Sequence, residues 1–284
     1  MTRFFRFSVL VAACWVALAA AAPALADKVT TEQVVSRLTL AIENLKTLRC
    51  SINAKERIGS GYQLNQTALK LAYNPQRVYL RNKKGIEVLW ITGQNDGDAW
   101  VYPNSFPYVT LNLDPNGTLM RRNQHHSVLD AGYGVVADII HGSPLRQDHN
   151  FEHSFRYTGD TVVQNRPCYI LTSDYPQFHY VTYKAVKGDT PARVADRFGC
   201  GEFRVLERNG LTVGQAIAEG KTLQVPNAYG RHTVLCVDQK LMLPLIVRVA
   251  DDKGLFEQFI FSDVIVNQPI GQEEFTKDYK GYKL

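Results

Sequence analysis

Tyr183-Lys-Ala-Val-Lys-Gly-Asp-Thr190, an amphipathic run to Phe198-Gly199, then Asn209-Gly210-Leu211 and Gly220-Lys-Thr-Leu-Gln-Val-Pro226 form the stretch that decides how this 284-residue chain is read. Tyr183 and Ala185 alternate with polar neighbours, as in a half-buried strand. Gly188-Asp189 is a tight turn in which glycine permits a left-handed backbone. Asp189 or Thr190 can cap a helix there, and Pro191 suits its first position, where no amide partner is lost. Val194, Ala195 and Phe198 share one face of that helix, with Arg193, Asp196 and Arg197 mainly on the other. Gly199 stops it. Phe203 and Leu206, joined by Val205, supply the apolar side of a second helix ending near Asn209-Gly210. Leu223-Gln224-Val225 reads as a strand able to pair beside the first.

In that order and spacing, Gly188-Asp189-Thr190, Ala195, Phe198-Gly199, Leu206, Asn209 and Gly220…Leu223…Val225-Pro226 resemble the LysM domain, a βααβ module that holds N-acetylglucosamine glycans such as peptidoglycan and chitin. The resemblance implies a shallow glycan groove. One wall would be Gly188, Asp189, Thr190 and Pro191, the other Gly210, Leu211, Thr212, Ala216 and Ile217. Pro191 stands where the family usually has a large residue, Ala185 replaces a typical valine, and Glu202-Phe203 departs from the usual polarity at the start of the second helix. A degenerate module that only packs against its host is the alternative to glycan binding.

Outward from this segment, the N-terminus carries Arg3 and Arg6, an apolar run from Phe7 to Ala22, and Ala24-Leu25-Ala26 before Asp27. That is the order of a secretory signal peptide cleaved after Ala26. Losing two arginines lowers the net charge from +5 to +3, too mild to suggest nucleic acid. No later stretch has the roughly 18 consecutive apolar residues of a membrane-spanning helix. A rival reading takes Val11-Ala12-Ala13-Cys14 as a lipobox that would tether the protein through acylated Cys14.

Residues 27–178 and 228–284 read as two parts of one domain, interrupted by the 179–227 insert. Val34, Val35, Leu38, Ile42 and Leu45 recur at helical spacing within 31–48, with Thr30 or Thr31 to cap. Short alternating runs follow at 50–58, 66–73, 77–82, 87–92, 99–102 and 108–113, separated by turns such as Asn74-Pro75 and Lys83-Lys84-Gly85. This is antiparallel sheet. A second helix is expected from Ser127, with Asp130 completing a capping box, to Gly142. Strand patterns resume at 151–157, 167–172, 233–238, 245–250 and 256–266.

Lys84 to Gly97, Asn123 to Ile140 and Phe256 to Phe275 resemble a bacterial envelope family known as a domain of unknown function. More distantly, Val237-Asp238…Leu243-Pro244-Leu and Phe261-Ser-Asp-Val-Ile-Val-Asn267-Gln-Pro-Ile resemble the LolA/LolB-like lipoprotein-carrier fold. That resemblance implies an α+β architecture, a strongly curved antiparallel sheet forming an unclosed barrel with helices on its concave side. A hydrophobic-ligand cavity and a plain packed interior are both open.

Chemistry-bearing motifs are scarce. Gly-x-Ser-x-Gly, the phosphate-binding glycine pattern and His-Glu-x-x-His are all missing. His125-His126, His141, His149 and His153 cluster in sequence, but the strand-like context of His149 and His153 argues for surface or capping histidines, and no metal site is expected. Asp96-Gly97-Asp98 and Asp251-Asp252 read as turns. Cys50, Cys168, Cys200 and Cys236 lack any Cys-x-x-Cys pattern. A Cys168–Cys236 disulfide is expected if their strands are antiparallel neighbours, and buried free thiols are the alternative.

The expected function is therefore an exported, non-catalytic envelope protein without cofactor. Its insert would bind peptidoglycan or another N-acetylglucosamine glycan, and its half-barrel a lipid, lipoprotein or protein partner. The alternatives are a cell-wall hydrolase targeted by its LysM module, and a structural or regulatory protein that receives a peptide.

Overall fold

The computed structural model describes residues 29–142 and 154–284. The signal peptide, Cys14, His149 and His153 lie outside the described residues. Helix α1 (Thr31–Glu43) leads into strands β1 (Thr47–Ile58), β2 (Gly61–Ala72), β3 (Arg77–Asn82), β4 (Glu87–Ile91), β5 (Ala99–Tyr102) and β6 (Leu111–Leu113). Helix α2 (Gly134–His141) precedes β7 (Phe155–Val163) and β8 (Arg166–Asp174). A βααβ unit follows: β9 (Tyr180–Lys184), α3 (Pro191–Phe198), α4 (Glu202–Asn209) and β10 (Thr222–Pro226). Strands β11 (His232–Asp238), β12 (Pro244–Asp251) and β13 (Gly254–Val266) complete the order.

Eleven strands form one antiparallel sheet in the order β6-β5-β4-β3-β2-β1-β13-β12-β11-β8-β7, whose two edge strands do not pair with each other. The sheet is curved and unclosed. Val34, Val35 and Leu38 of α1 and Val136, Ile139 and Ile140 of α2 share one core with Leu48, Leu71, Leu171, Leu235 and Val247 from strands along it. Alternating apolar residues thus supply the concave face, and the helices cover part of it.

Helix α1 starts as expected: Gln33 N donates to the Thr30 hydroxyl at 3.2 Å, and the Gln33 side chain accepts from Thr30 N. The second helix differs. Ser127 and Asp130 do form a capping box, but over a single 3-10 turn at Val128–Asp130. The chain breaks at Gly132, with φ +102°, before α2 begins. A Cβ on Gly132 would lie 2.7 Å from Leu71 Cδ2 and 2.9 Å from the Tyr73 hydroxyl. Gly132→Ala is therefore expected to lose about 2–3 kcal/mol, combining a left-handed backbone with overpacking. Urea denaturation checks it; a loss under about 0.5 kcal/mol would refute the steric argument.

Past β13 the chain crosses the opposite face of the sheet. Phe275 and Ile270 join Ala72, Tyr79, Leu89 and Ile91 in a second cluster. Tyr282 stacks on Tyr79 with ring centroids 3.7 Å apart. Glu274 clamps the segment through Arg49, at 2.5 and 2.8 Å, and Lys70 at 2.8 Å. Hydrogen bonding from Arg49 and the charge and hydrogen bond of Lys70 outweigh burial and hold the Glu274 carboxyl down at about 2. A depressed acid stabilises the fold above its unfolded value near 4.5, and that contribution disappears as pH falls towards 2. After discounting for solvent screening it is worth about 1–2 kcal/mol. The stability gap between wild type and Glu274→Gln should accordingly shrink between pH 4.5 and pH 2 in urea titrations, and a pH-independent gap would contradict the clamp.

The 183–226 segment has its own small core of Ala185, Val194, Ala195, Val205, Leu206, Leu223 and Val225 beneath the two-stranded β9–β10 sheet. Thr190, rather than Asp189, caps α3 through Arg193 N at 3.3 Å, with Pro191 at the first helical position. Gly199 and Gly210 end α3 and α4 in the left-handed conformation. Phe203 does not belong to this core; it faces the host.

Strands β8 and β11 are antiparallel neighbours, but the expected disulfide does not form. Their register sets Cys168 opposite Asp238 and Cys236 opposite Ile170, and all four described cysteines are free and buried. The two thiols are diagonal, at positions roughly 7 Å apart, whereas a disulfide needs Cβ atoms about 4 Å apart.

Candidate functional site

The concave face of the sheet encloses a cavity of about 400 Å³, walled chiefly by apolar side chains including Ile52, Leu69, Val101, Val136, Phe259 and Phe261. Strand alternation explains it: Ile52 and Ala54 point inward from β1, as do Phe259 and Phe261 from β13, while residues 119–136 arch across. The interior is therefore only partly filled by helices. Its volume is in the range of ligand pockets, which are mostly apolar with a few convergent polar groups.

Those polar groups sit at one end. Glu56 continues the inward row of β1 and Glu257 that of β13, and the register makes them direct cross-strand partners. Two like charges so placed repel each other. His125 and His126 supply the compensation from the loop before the 3-10 turn. His125 Nδ1 lies 2.8 Å and His126 Nε2 3.0 Å from the same oxygen, Glu257 Oε2. Tyr229 donates its hydroxyl to Glu257 Oε1 at 2.6 Å, and His125 N donates to Glu56 Oε1 at 2.9 Å. His125 Nε2 meets the Arg57 carbonyl at 2.9 Å. Glu257 is fully buried. Burial alone would raise its carboxyl, but the charge of His126 and the hydrogen bond from His125 hold it well below the ordinary range. Burial disfavours a charged His126 as well; Glu257 overrides this and lifts the ring to about 9.

The βααβ unit roofs this cluster. Phe203, from α4, stacks against the His125 ring at 4.4 Å, as does Phe256 at 4.1 Å. Glu202 pairs with Arg121 at 2.8 Å, and Arg121 donates to the His125 carbonyl at 3.1 Å. Arg204 is 0% exposed and stands 3.7 Å over the Phe256 ring. Its Nε lies 3.7 Å from Asp251, which Arg57 also grips through both terminal nitrogens. Asp251 opens the β12–β13 turn, as expected, with Lys253 N donating to it at 2.8 Å, and is in addition a buried counter-ion whose carboxyl is held down by Arg57 and Arg204 against the effect of burial. The unusual Glu202-Phe203 pair is the docking surface of the unit.

At the expected groove, Ile217 N donates to the Asp189 carbonyl at 3.0 Å, which joins the two walls. The Asp189 side chain is turned inward, accepting from Tyr183, from Val186 N at 2.9 Å and from Arg197 at 2.9 Å. Pro191, Leu211 and Ile217 are buried. Gly188, Gly210, Thr212 and Ala216 are exposed, and Thr190 is half-buried. The exposed part of the groove is thus made of small residues.

Sequence reading missed Glu56, Glu257 and Tyr229 and took His125-His126 for surface or capping residues. A signal was present: Glu56 occupies the inward parity after Ile52 and Ala54, and Glu257 that before Phe259 and Phe261, so each strand turns a carboxylate to its apolar side.

Fold and site together define an unclosed antiparallel half-barrel with a hollow concave face and a buried His/Glu cluster at one end. Residues 46–187, half of the chain, match the model of the family described as "Protein of unknown function (DUF1571)", and the protein belongs to that family. Among curated proteins no sequence matches. Among solved structures it is similar to MucB in the Pseudomonas aeruginosa MucA/MucB complex, with 13% identity, coverage of 87% of this chain and 60% of that one, and a TM-score of 0.40. It is also similar to the Mycobacterium tuberculosis lipoprotein LppX, with 10% identity, 85% and 97% coverage and a TM-score of 0.40. A LolA superfamily protein from Nitrosomonas europaea gives 11% identity, 88% and 99% coverage and a TM-score of 0.33. The chain spans about three fifths of the length of the MucB chain it matches.

Proposed function

We propose that this is an exported, non-catalytic envelope protein whose half-barrel accommodates an acyl chain of a lipid or lipoprotein in its concave cavity. In this reading the βααβ unit is a LysM module that docks on peptidoglycan. The observation that carries the first part is the apolar cavity of about 400 Å³ between Ile52, Val101 and Phe259. Each methylene buried there contributes about 0.8 kcal/mol. The second part is supported by the βααβ order, the separate core and the groove of small exposed residues at Gly188 and Thr212.

Mass spectrometry after gentle extraction is expected to find stoichiometric lipid on the wild type. Ala54→Trp, which places an indole in the cavity, should lower occupancy at least about tenfold. Protein free of lipid that instead copurifies with a peptide would favour a protein partner. Purified sacculi should retain the full chain but not a variant lacking Tyr183 to Pro226; equal retention would remove the docking role.

A further inference from the structure

We infer that Glu56, His125, His126 and Glu257 form a binding site for a single divalent transition-metal ion, of which Zn²⁺ is the best fit. One ligand atom from each of the four lies within 4.8 Å of all the others. A tetrahedral zinc site with bonds of about 2.0–2.2 Å spaces its ligand atoms roughly 3.3–3.6 Å apart. The observed separations are 2.8 Å from His125 Nδ1 to Glu257 Oε2, 3.0 Å from His126 Nε2 to the same oxygen, and 4.0 Å from His125 Nδ1 to Glu56 Oε1. Shifts of side-chain size close the set. Two imidazoles and two carboxylates suit zinc better than the all-oxygen preference of calcium or magnesium.

Three features favour a cation at this point. The first is the cross-strand placement of Glu56 against Glu257, two buried carboxylates that no Lys or Arg among the described residues pairs with. The second is the tautomer of His125. With Nε2 donating to the Arg57 carbonyl, a neutral ring leaves a lone pair on Nδ1 facing the Glu257 carboxylate at 2.8 Å. A proton or a metal ion must stand between them. The third is the surrounding shell, since a ligating histidine ordinarily donates its other N–H to a carbonyl and a ligating carboxylate is itself hydrogen-bonded. Arg57 O and the Tyr229 hydroxyl supply those partners. Glu56 and His126 line the cavity, which gives an ion its way in. The ion would tie β1, β13 and the His125–His126 loop together, and the four protein ligands make the site structural rather than catalytic.

The test uses the full chain, stripped with a chelator and titrated with Zn²⁺ by calorimetry and with Co²⁺ by visible absorption. It needs neither lipid nor glycan, so its outcome is independent of the proposed function. One ion per chain is expected, with a rise in melting temperature on saturation. His126→Ala and Glu56→Gln should each weaken binding about 100-fold or more, and Tyr229→Phe, which leaves all four ligands in place, about tenfold. His232→Ala, on the surface beside Asp174, should bind like wild type. Should one ligand variant fail to fold, the other carries the comparison. Absence of binding by Zn²⁺ and Co²⁺, or binding unchanged in the folded ligand variants, would overturn the site.

Discussion

Replacing Asp251 by alanine is expected to cost about 3–5 kcal/mol and to loosen the βααβ unit from the sheet. Asp251 is the shared anion of Arg57 and Arg204, whose side chains are 8% and 0% exposed. Removing one partner of a buried pair leaves an uncompensated charge, and desolvation then dominates. Two guanidiniums are stranded here. Among the described residues the guanidinium nitrogens of Arg204 have no hydrogen-bond partner to fall back on, and the group lies over the faces of Phe256, Tyr229 and Phe178. Because Arg204 belongs to α4 and Asp251 ends β12, the loss falls on the seam between insert and host. Guanidinium denaturation measures the first effect and limited proteolysis within residues 180–226 the second. Asp251→Asn should be milder, since an amide oxygen still accepts from Arg57. Unchanged stability of Asp251→Ala would mean that the seam is held by stacking alone.

Leu223→Ala should have the other large effect, confined to the insert. Leu223 is 0% exposed in the small core. Truncating a buried leucine costs about 2–5 kcal/mol. A unit of this size has little stability of its own to lose, because small domains bury proportionately less surface. Hydrogen exchange is expected to show β9, α3, α4 and β10 losing protection while β1, β12 and β13 keep theirs, and sacculus retention should fall to that of the deletion variant. Uniform loss of protection over all of these elements would show that insert and host unfold as one.

Strand alternation and turn residues announced the sheet because period-two patterning directly encodes which face is buried. β3 and β5 fall on the expected boundaries. Three features were hidden for separate physical reasons. The 127–140 segment carries apolar residues at helical spacing, but Ala131 turns extended with ψ 136° and Gly132 takes a positive φ, and together they split it. The 108–113 strand shrinks to Leu111–Leu113 because Tyr108, after Pro107, takes a φ of 58°. The His/Glu cluster joins residues up to 201 positions apart, Glu56 to Glu257, through β1–β13 pairing, which local pattern does not report. The same pairing problem, a stagger of two residues, made Cys168 and Cys236 look like partners.

The insert leaves and re-enters the sheet through β8 and β11, which remain hydrogen-bonded neighbours up to His232 opposite Asp174, with Tyr175 N still reaching the Arg231 carbonyl at 2.7 Å. Tension applied through an anchored insert would pull both strand ends from the same side, so these terminal rungs would peel one after another like a zipper unless the Arg204 seam took the load first. The buried guanidinium would then act as a strain relief, transferring traction into β12 and sparing the β8–β11 ladder. Single-molecule pulling on the insert should show an early event that Arg204→Met abolishes.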